Sequence, residues 1–455
     1  MRCPRCNTVL DDDTVFCGNC GNQIAPLQAQ GATVAAPIDN DGTLIVRSNP
    51  VENRQAAQPP VIQSFSPIIA PYVRVSDTPA HGNPPQAPRR GGFPLASARS
   101  RVIIALALVV LVGGALGAFA ILKNNGNGPN TSFGAHATGQ IAFIDSSNGI
   151  PGRTDALNVS IQNLEAPPAG SQYDAWLVND ATEQIIPLGS LTANGQTFAL
   201  SYAGDAKNGQ AGTNLLGAGD KVEVTLEQGS VNAPTSRVIL SATFPPKAFI
   251  HIRHLLFSFP ITPGKIGLLV GLLGQVQLLN TQAVLLQNAS ASQNTPAVKC
   301  ASQSIIDIIE GKLGSAYQRL PSSCFSLNVG NAGDGFGLLG NSGYVLLASE
   351  HASLAATQPD ATDTIRVNAS HVETAMANVK GWTTKIEQDA LTLRNAPGNT
   401  SLIQEIVTLS DRVLHGVDIN GDGRVDPVPG EAGAIAGYDQ GQLMATLPFV
   451  AGAGA

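Results

Sequence analysis

The chain has 455 residues, of which 43% are hydrophobic and 13% charged, and its net charge is -7. That balance excludes a chain disordered throughout and predicts apolar cores under a polar, sparsely charged surface. The acidic excess lies beyond residue 101, so no nucleic-acid-binding surface is expected in that larger part.

Cys3, Cys6, Cys17 and Cys20 form two Cys-x-x-Cys pairs within residues 1–25. A short hairpin between such pairs closes a tetrahedral four-thiolate site, for which Zn2+ is the natural occupant. Gly18 and Gly21 suit the knuckle turns, where backbone N–H groups bend toward sulfur. A fold of roughly 25 residues has almost no core, so its folding energy is expected to come from the metal. Two disulfides or a redox pair are the alternatives; a reducing cytoplasm and the lack of a thioredoxin-like βαβ pattern argue against both. The segment MRCPRCNTVLDDDTVFCGNCGNQI resembles the short N-terminal zinc-ribbon domain of many bacterial membrane proteins. The resemblance implies a fold and a metal and leaves the ribbon's protein partner unknown.

Residues 26–98 contain 12 prolines and show no apolar period, which predicts a disordered, Pro-rich cytoplasmic tether. From Val102 to Leu122 the chain carries no charge. As a helix this stretch is about 31 Å long, matching a hydrocarbon core of about 30 Å, so a transmembrane helix is expected over 101–122. Arg89, Arg90, Arg99 and Arg101 precede it and only Lys123 follows closely. The positive-inside bias then puts the N-terminus in the cytoplasm and everything after the span outside the cell membrane. MRCPRC has no apolar signal core, so the span is expected to act as an uncleaved anchor. Gly113 and Gly117 have the spacing that lets two spans pack as a homodimer.

Residues 139–246 hold short alternating runs, QIAFID, ALNVSIQNL, YDAWLVN, QTFALSY, KVEVTLE and RVILSATF, separated by Gly, Asn, Asp and Pro. This is the spacing of an all-β sandwich, with Trp176 expected to anchor its core. The runs YDAWLVND, NGQTFALSY, KVEVTLEQG and RVILSATFP, with Leu188–Gly189, make the stretch similar to the extracytoplasmic C-terminal domain of anti-sigma-K factors. That resemblance implies a sensory or scaffold domain. The cytoplasmic part departs from the family, having a ribbon and tether where those factors hold a sigma factor with a helical domain.

Residues 247–455 change to helical periodicity. Leu268, Leu269, Leu272, Leu273, Val276 and Leu279 form a stripe, and five later stripes complete an expected all-α bundle of about six helices. Cys300 and Cys324 lie beyond the membrane, where a disulfide can form. Asp334, in a Gly-rich segment, is expected to cap a turn. His251 and His254 stand three apart, so both could face one metal or haem with His351, His371 or His415 as partner; scattered polar-face histidines are the competing reading. The segment DINGDGRVDPVPGE places Asp418, Asn420 and Asp422 at alternate positions before Gly423, followed by the Arg424 carbonyl and Asp426. This is the pattern of a Ca2+ loop, except that Pro429 stands at the twelfth position and Glu431 is the nearest later carboxylate. No GxSxG elbow, HExxH pair, P-loop or dinucleotide fingerprint occurs. The sequence therefore reads as a multidomain envelope protein, a non-enzymatic sensor, scaffold or binding protein; a metal or haem carrier, or a hydrolase, in the helical domain is the alternative.

Overall fold

The computed structural model describes residues 134–146, 152–204, 212–327, 329–340 and 342–452. The ribbon cysteines Cys3, Cys6, Cys17 and Cys20, the tether and the span expected over 101–122 lie outside the described residues.

The strand-rich half folds as expected into antiparallel sheets. Its strands are β1 (Thr138–Ile144), β2 (Ala156–Gln162), β3 (Ser171–Asn179), β4 (Gln184–Ser190), β5 (Thr192–Asn194), β6 (Thr197–Tyr202), β7 (Lys221–Gln228) and β8 (Val238–Thr243), with a short helix α1 (Leu215–Ala218) before β7. Two further strands come from the far end of the chain, β9 (Thr446–Pro448) and β10 (Val450–Ala451). One sheet runs β5-β6-β2-β1-β9 and the other β10-β8-β7-β3-β4. Alternation sets their facing sides: Leu157, Val159 and Ile161 of β2 join Tyr173, Ala175 and Leu177 of β3 in one apolar core. Trp176 differs from expectation. It is buried but lies outside that continuous core, because the pleat turns it to the opposite side of β3 from Tyr173, Ala175 and Leu177. There its indole N–H donates to Thr225 Oγ1 at 2.8 Å.

Between β8 and β9 the chain makes a helical excursion: α2 (Pro246–Leu256), α3 (Leu268–Ala291), α4 (Thr295–Glu310), α5 (Ser322–Ser326), α6 (Tyr344–Thr357), α7 (Asp363–Asn395), α8 (Thr400–His415) and α9 (Ala434–Leu443). Side-chain caps start three of them, Asn294 to the Ala297 N–H, Thr362 to the Ile365 N–H and Asn399 to the Leu402 N–H. Helix α3 is the axis of this region, with every residue of the expected leucine stripe buried. Among the described residues it is the one helix long and apolar enough to cross a membrane, and half of its most apolar window is buried inside the fold.

The sheets and helices share one core. Residues of both belong to a single apolar cluster, and the rings of Phe143, Phe244 and Phe249 pack in series across the junction, at 5.1 Å and 3.8 Å between centroids. At the other end, the Phe449 N–H donates to the Gly139 carbonyl as the chain passes from β9 in one sheet to β10 in the other. Gly139 makes room for this close packing: a Cβ there would lie 2.5 Å from the Ser160 carbonyl oxygen.

Cys300 and Cys324 form the expected disulfide, with Cα atoms 5.6 Å apart, tying α5 to α4. For a loop of this size the chain-entropy model gives about 3 kcal/mol. Replacing both cysteines by serine should lower the melting temperature by several degrees, measured under non-reducing conditions. An unchanged melting temperature would show that the bond constrains nothing the fold does not already hold.

Glu387 of α7 shares a hydrogen bond with Glu310 at the end of α4; burial first, then that bond and the Glu310 charge, push its carboxyl from 4.5 up to about 7. A raised carboxyl pKa means that the folded state holds the proton more tightly than the unfolded chain. Its contribution is therefore full below 4.5 and is lost as pH rises toward 7. Thermal melts across that window should show wild-type stability falling relative to the Glu387→Gln variant, whose amide does not titrate. Parallel profiles for the two proteins would refute the shared proton.

Candidate metal centre

Helix α2 follows directly from β8, and its first free N–H groups are capped from a distance. Asp360, in the connection between α6 and α7, accepts from the Lys247 N–H at 2.7 Å and from the Ala248 N–H at 3.2 Å. Near the other end, Arg253 donates to the Gly217 carbonyl at 3.2 Å. Held at both ends, α2 turns the face carrying Ala248, His251, Ile252, His254 and Leu255 into the core. Helix α6 packs against it and brings in His351, also buried.

The three imidazoles meet. His351 Nδ1 lies 3.2 Å from His251 Nδ1 and 3.3 Å from His254 Nδ1. One ring nitrogen from each residue lies within 4.8 Å of the other two. Two nitrogens on one tetrahedral zinc-sized ion at about 2.05 Å stand about 3.3 Å apart, so the observed spacings fit neighbouring ligand positions. Their fractional exposures are only 5%, 6% and 3% for His251, His254 and His351. The Phe259 ring closes one side, 5.1 Å from the His254 ring and 4.9 Å from the His351 ring.

Burial holds these rings neutral. Desolvation pushes His251 and His254 down to about 4 and holds His351 well below its ordinary value, with mutual repulsion adding to the effect on His254 and His351. Neutral imidazoles are the form that ligates metals. Without a metal the arrangement is poorly satisfied, because a single proton on His351 Nδ1 can be directed at only one of its two neighbours. An ion facing three lone pairs satisfies all of them at once.

Gln358, just past the end of α6, touches the cluster from outside. Its amide nitrogen lies 3.3 Å from His251 Nε2 and donates to the Leu354 carbonyl at 3.2 Å. Ligation through His251 Nδ1 leaves a proton on Nε2, which the amide oxygen would accept after a half-turn that gives up the bond to the Leu354 carbonyl.

The structure thus unites His251 and His254 with His351 and leaves out the other two expected partners. His371 Nδ1 pairs with Gln440 Oε1 at 2.8 Å, and exposed His415 pairs with Asp411 at 2.8 Å. Asp334 caps its turn through the Phe336 N–H at 2.9 Å and also accepts from the Tyr344 hydroxyl at 2.7 Å. Two pockets, of about 420 and 220 Å³, lie away from the histidines, between α3 and α8 and beside Phe325 and Asn331.

The acidic loop between α8 and α9 is exposed from Ile419 to Val425. The Asp418 carboxylate accepts from the Gly421 and Gly423 N–H groups at 2.6 and 2.8 Å, Asn420 accepts from the Asp422 N–H, and Asp422 accepts from the Arg424 N–H. Gly423 takes the positive φ of +86° that the turn requires. Glu431 folds back across the prolines: its buried carboxylate accepts from the Asp426 N–H at 3.0 Å. No family model, curated protein or solved structure matches the chain.

Proposed function

We propose that this is a membrane-anchored envelope protein that binds a transition-metal ion in its outer, folded part and performs no catalysis. The observation carrying this reading is the convergence of His251, His254 and His351 in one buried cluster. An ion there would join α2, which leads out of the sheet, to α6 of the helical region. A bare ion suits the site better than haem, since nitrogens already 3.2 and 3.3 Å apart leave no space for a macrocycle between them. The anchor rests on the uncharged stretch Val102–Leu122 and the arginines before it. In this reading the four-cysteine ribbon holds zinc in the cytoplasm and the proline-rich tether links it to the span. The similarity of residues 139–246 to anti-sigma-K outer domains supports a sensing or scaffolding role.

The test is metal content and thermal stability of the full chain in detergent. Wild type should bind one metal equivalent beyond that retained by the cysteines, with a melting temperature that rises on loading. His351→Ala should lose that equivalent and the rise; His371→Ala should keep both. If His351→Ala, folded by circular dichroism, binds as much metal as wild type, the site is wrong.

A second reading concerns the loop from Asp418 to Glu431, which we take as a structural Ca2+ site using Asp418, Asn420, Asp422, the Arg424 carbonyl, Asp426 and Glu431. Its support is the return of Glu431 to the loop, which offsets the loss of a carboxylate at Pro429. Extracellular modules bind calcium with dissociation constants of roughly 10⁻⁴–10⁻³ M, so millimolar calcium should raise the melting temperature and Asp422→Ala should abolish the rise. No response of wild type at millimolar calcium would reduce the loop to an acidic turn.

A further inference from the structure

We infer that the three-histidine centre selects a monovalent d¹⁰ ion, Cu(I), over divalent zinc. This rests on the metal-binding reading above and adds the identity of its ligand.

Charge is the first ground. Three neutral imidazoles bring no negative charge, and no carboxylate belongs to the cluster. Arg253, on the same helix as His251 and His254, is a cation and donates to the Gly217 carbonyl. Asp360 is engaged with the N–H groups of α2. The cost of burying an ion rises with the square of its charge, so an uncompensated dication costs about four times as much as a monocation of similar size.

Coordination number is the second ground. Zinc sites are nearly always four-coordinate, completed by a fourth protein ligand or by water. Here three ring nitrogens converge and the side facing Phe259 is apolar. Zn(II) and Cu(I) are both d¹⁰ and neither has a ligand-field preference, so charge decides: the monocation needs less donation than the dication and is stable with three neutral nitrogens in an apolar setting. Gln358, the polar neighbour of His251, is uncharged and leaves the balance unaltered.

The experiment uses the full chain with Cys3, Cys6, Cys17 and Cys20 replaced by serine, so that thiolates do not compete. Cu(I) affinity is read against bicinchoninate under ascorbate, and Zn(II) affinity against a chromophoric chelator. Cu(I) should bind at least about 100-fold more tightly than Zn(II). Gln358→Glu, which places a carboxylate against His251 Nε2, should narrow the ratio about tenfold or more by favouring zinc. Gln358→Ala, a neutral control, should leave the ratio near the wild-type value. Zinc binding as tight as copper, or a ratio unmoved by Gln358→Glu in a folded protein, overturns the selectivity and leaves the metal site standing. Failure to bind either ion overturns both.

Discussion

The constraint on which this structure depends is the return of the chain's end to its beginning. Thr446–Pro448 pairs with β1, and two residues later Val450–Ala451 pairs with β8, so one short segment completes both sheets. The helical excursion, residues 246–443, is thereby held between two fixed points on the same sandwich. The helices cannot form a separate body on a flexible leash. Their apolar faces continue the core of the sheets, through the Phe143, Phe244 and Phe249 rings at one end and the buried Phe449 at the other.

That closure gives the histidine cluster its geometry. Helix α2 leaves β8 directly and is fixed at its start by Asp360, which lies three residues beyond the last residue of α6. The same contact thus sets the position of α2 and the distance to the helix that carries His351. Burying three imidazoles is costly unless their nitrogens find partners, and proton exchange among them leaves one contact unmet. A metal removes that cost and adds a strut between the sheet-leading helix and the bundle.

Much of the architecture is legible in the sequence because local periodicity carries it. Residues 157, 159 and 161 alternate as a strand facing one core must, and the leucine stripe from Leu268 to Leu279 announces a helix with one buried side. Strands β9 and β10 are not legible, since segments of three and two residues after a helix have no period to read. Trp176 is misjudged for a related reason: a large aromatic residue signals burial, but only the register decides which face of the sheet buries it. In the metal centre, His251 and His254 are visible through their helical spacing. His351 is one of several histidines until tertiary packing of α2 on α6 selects it over His371 and His415. Gln358 carries no signal at all, being a common polar residue at a helix end.

The central claim, that His251, His254 and His351 together hold one metal ion, is tested most directly by locating that ion. Crystals of the copper-loaded full chain, measured on either side of the copper absorption edge, should give a single anomalous difference peak bounded by the ring nitrogens of all three residues. A peak elsewhere in the outer part of the chain, with the three imidazoles hydrogen-bonded to one another around no metal, would contradict it.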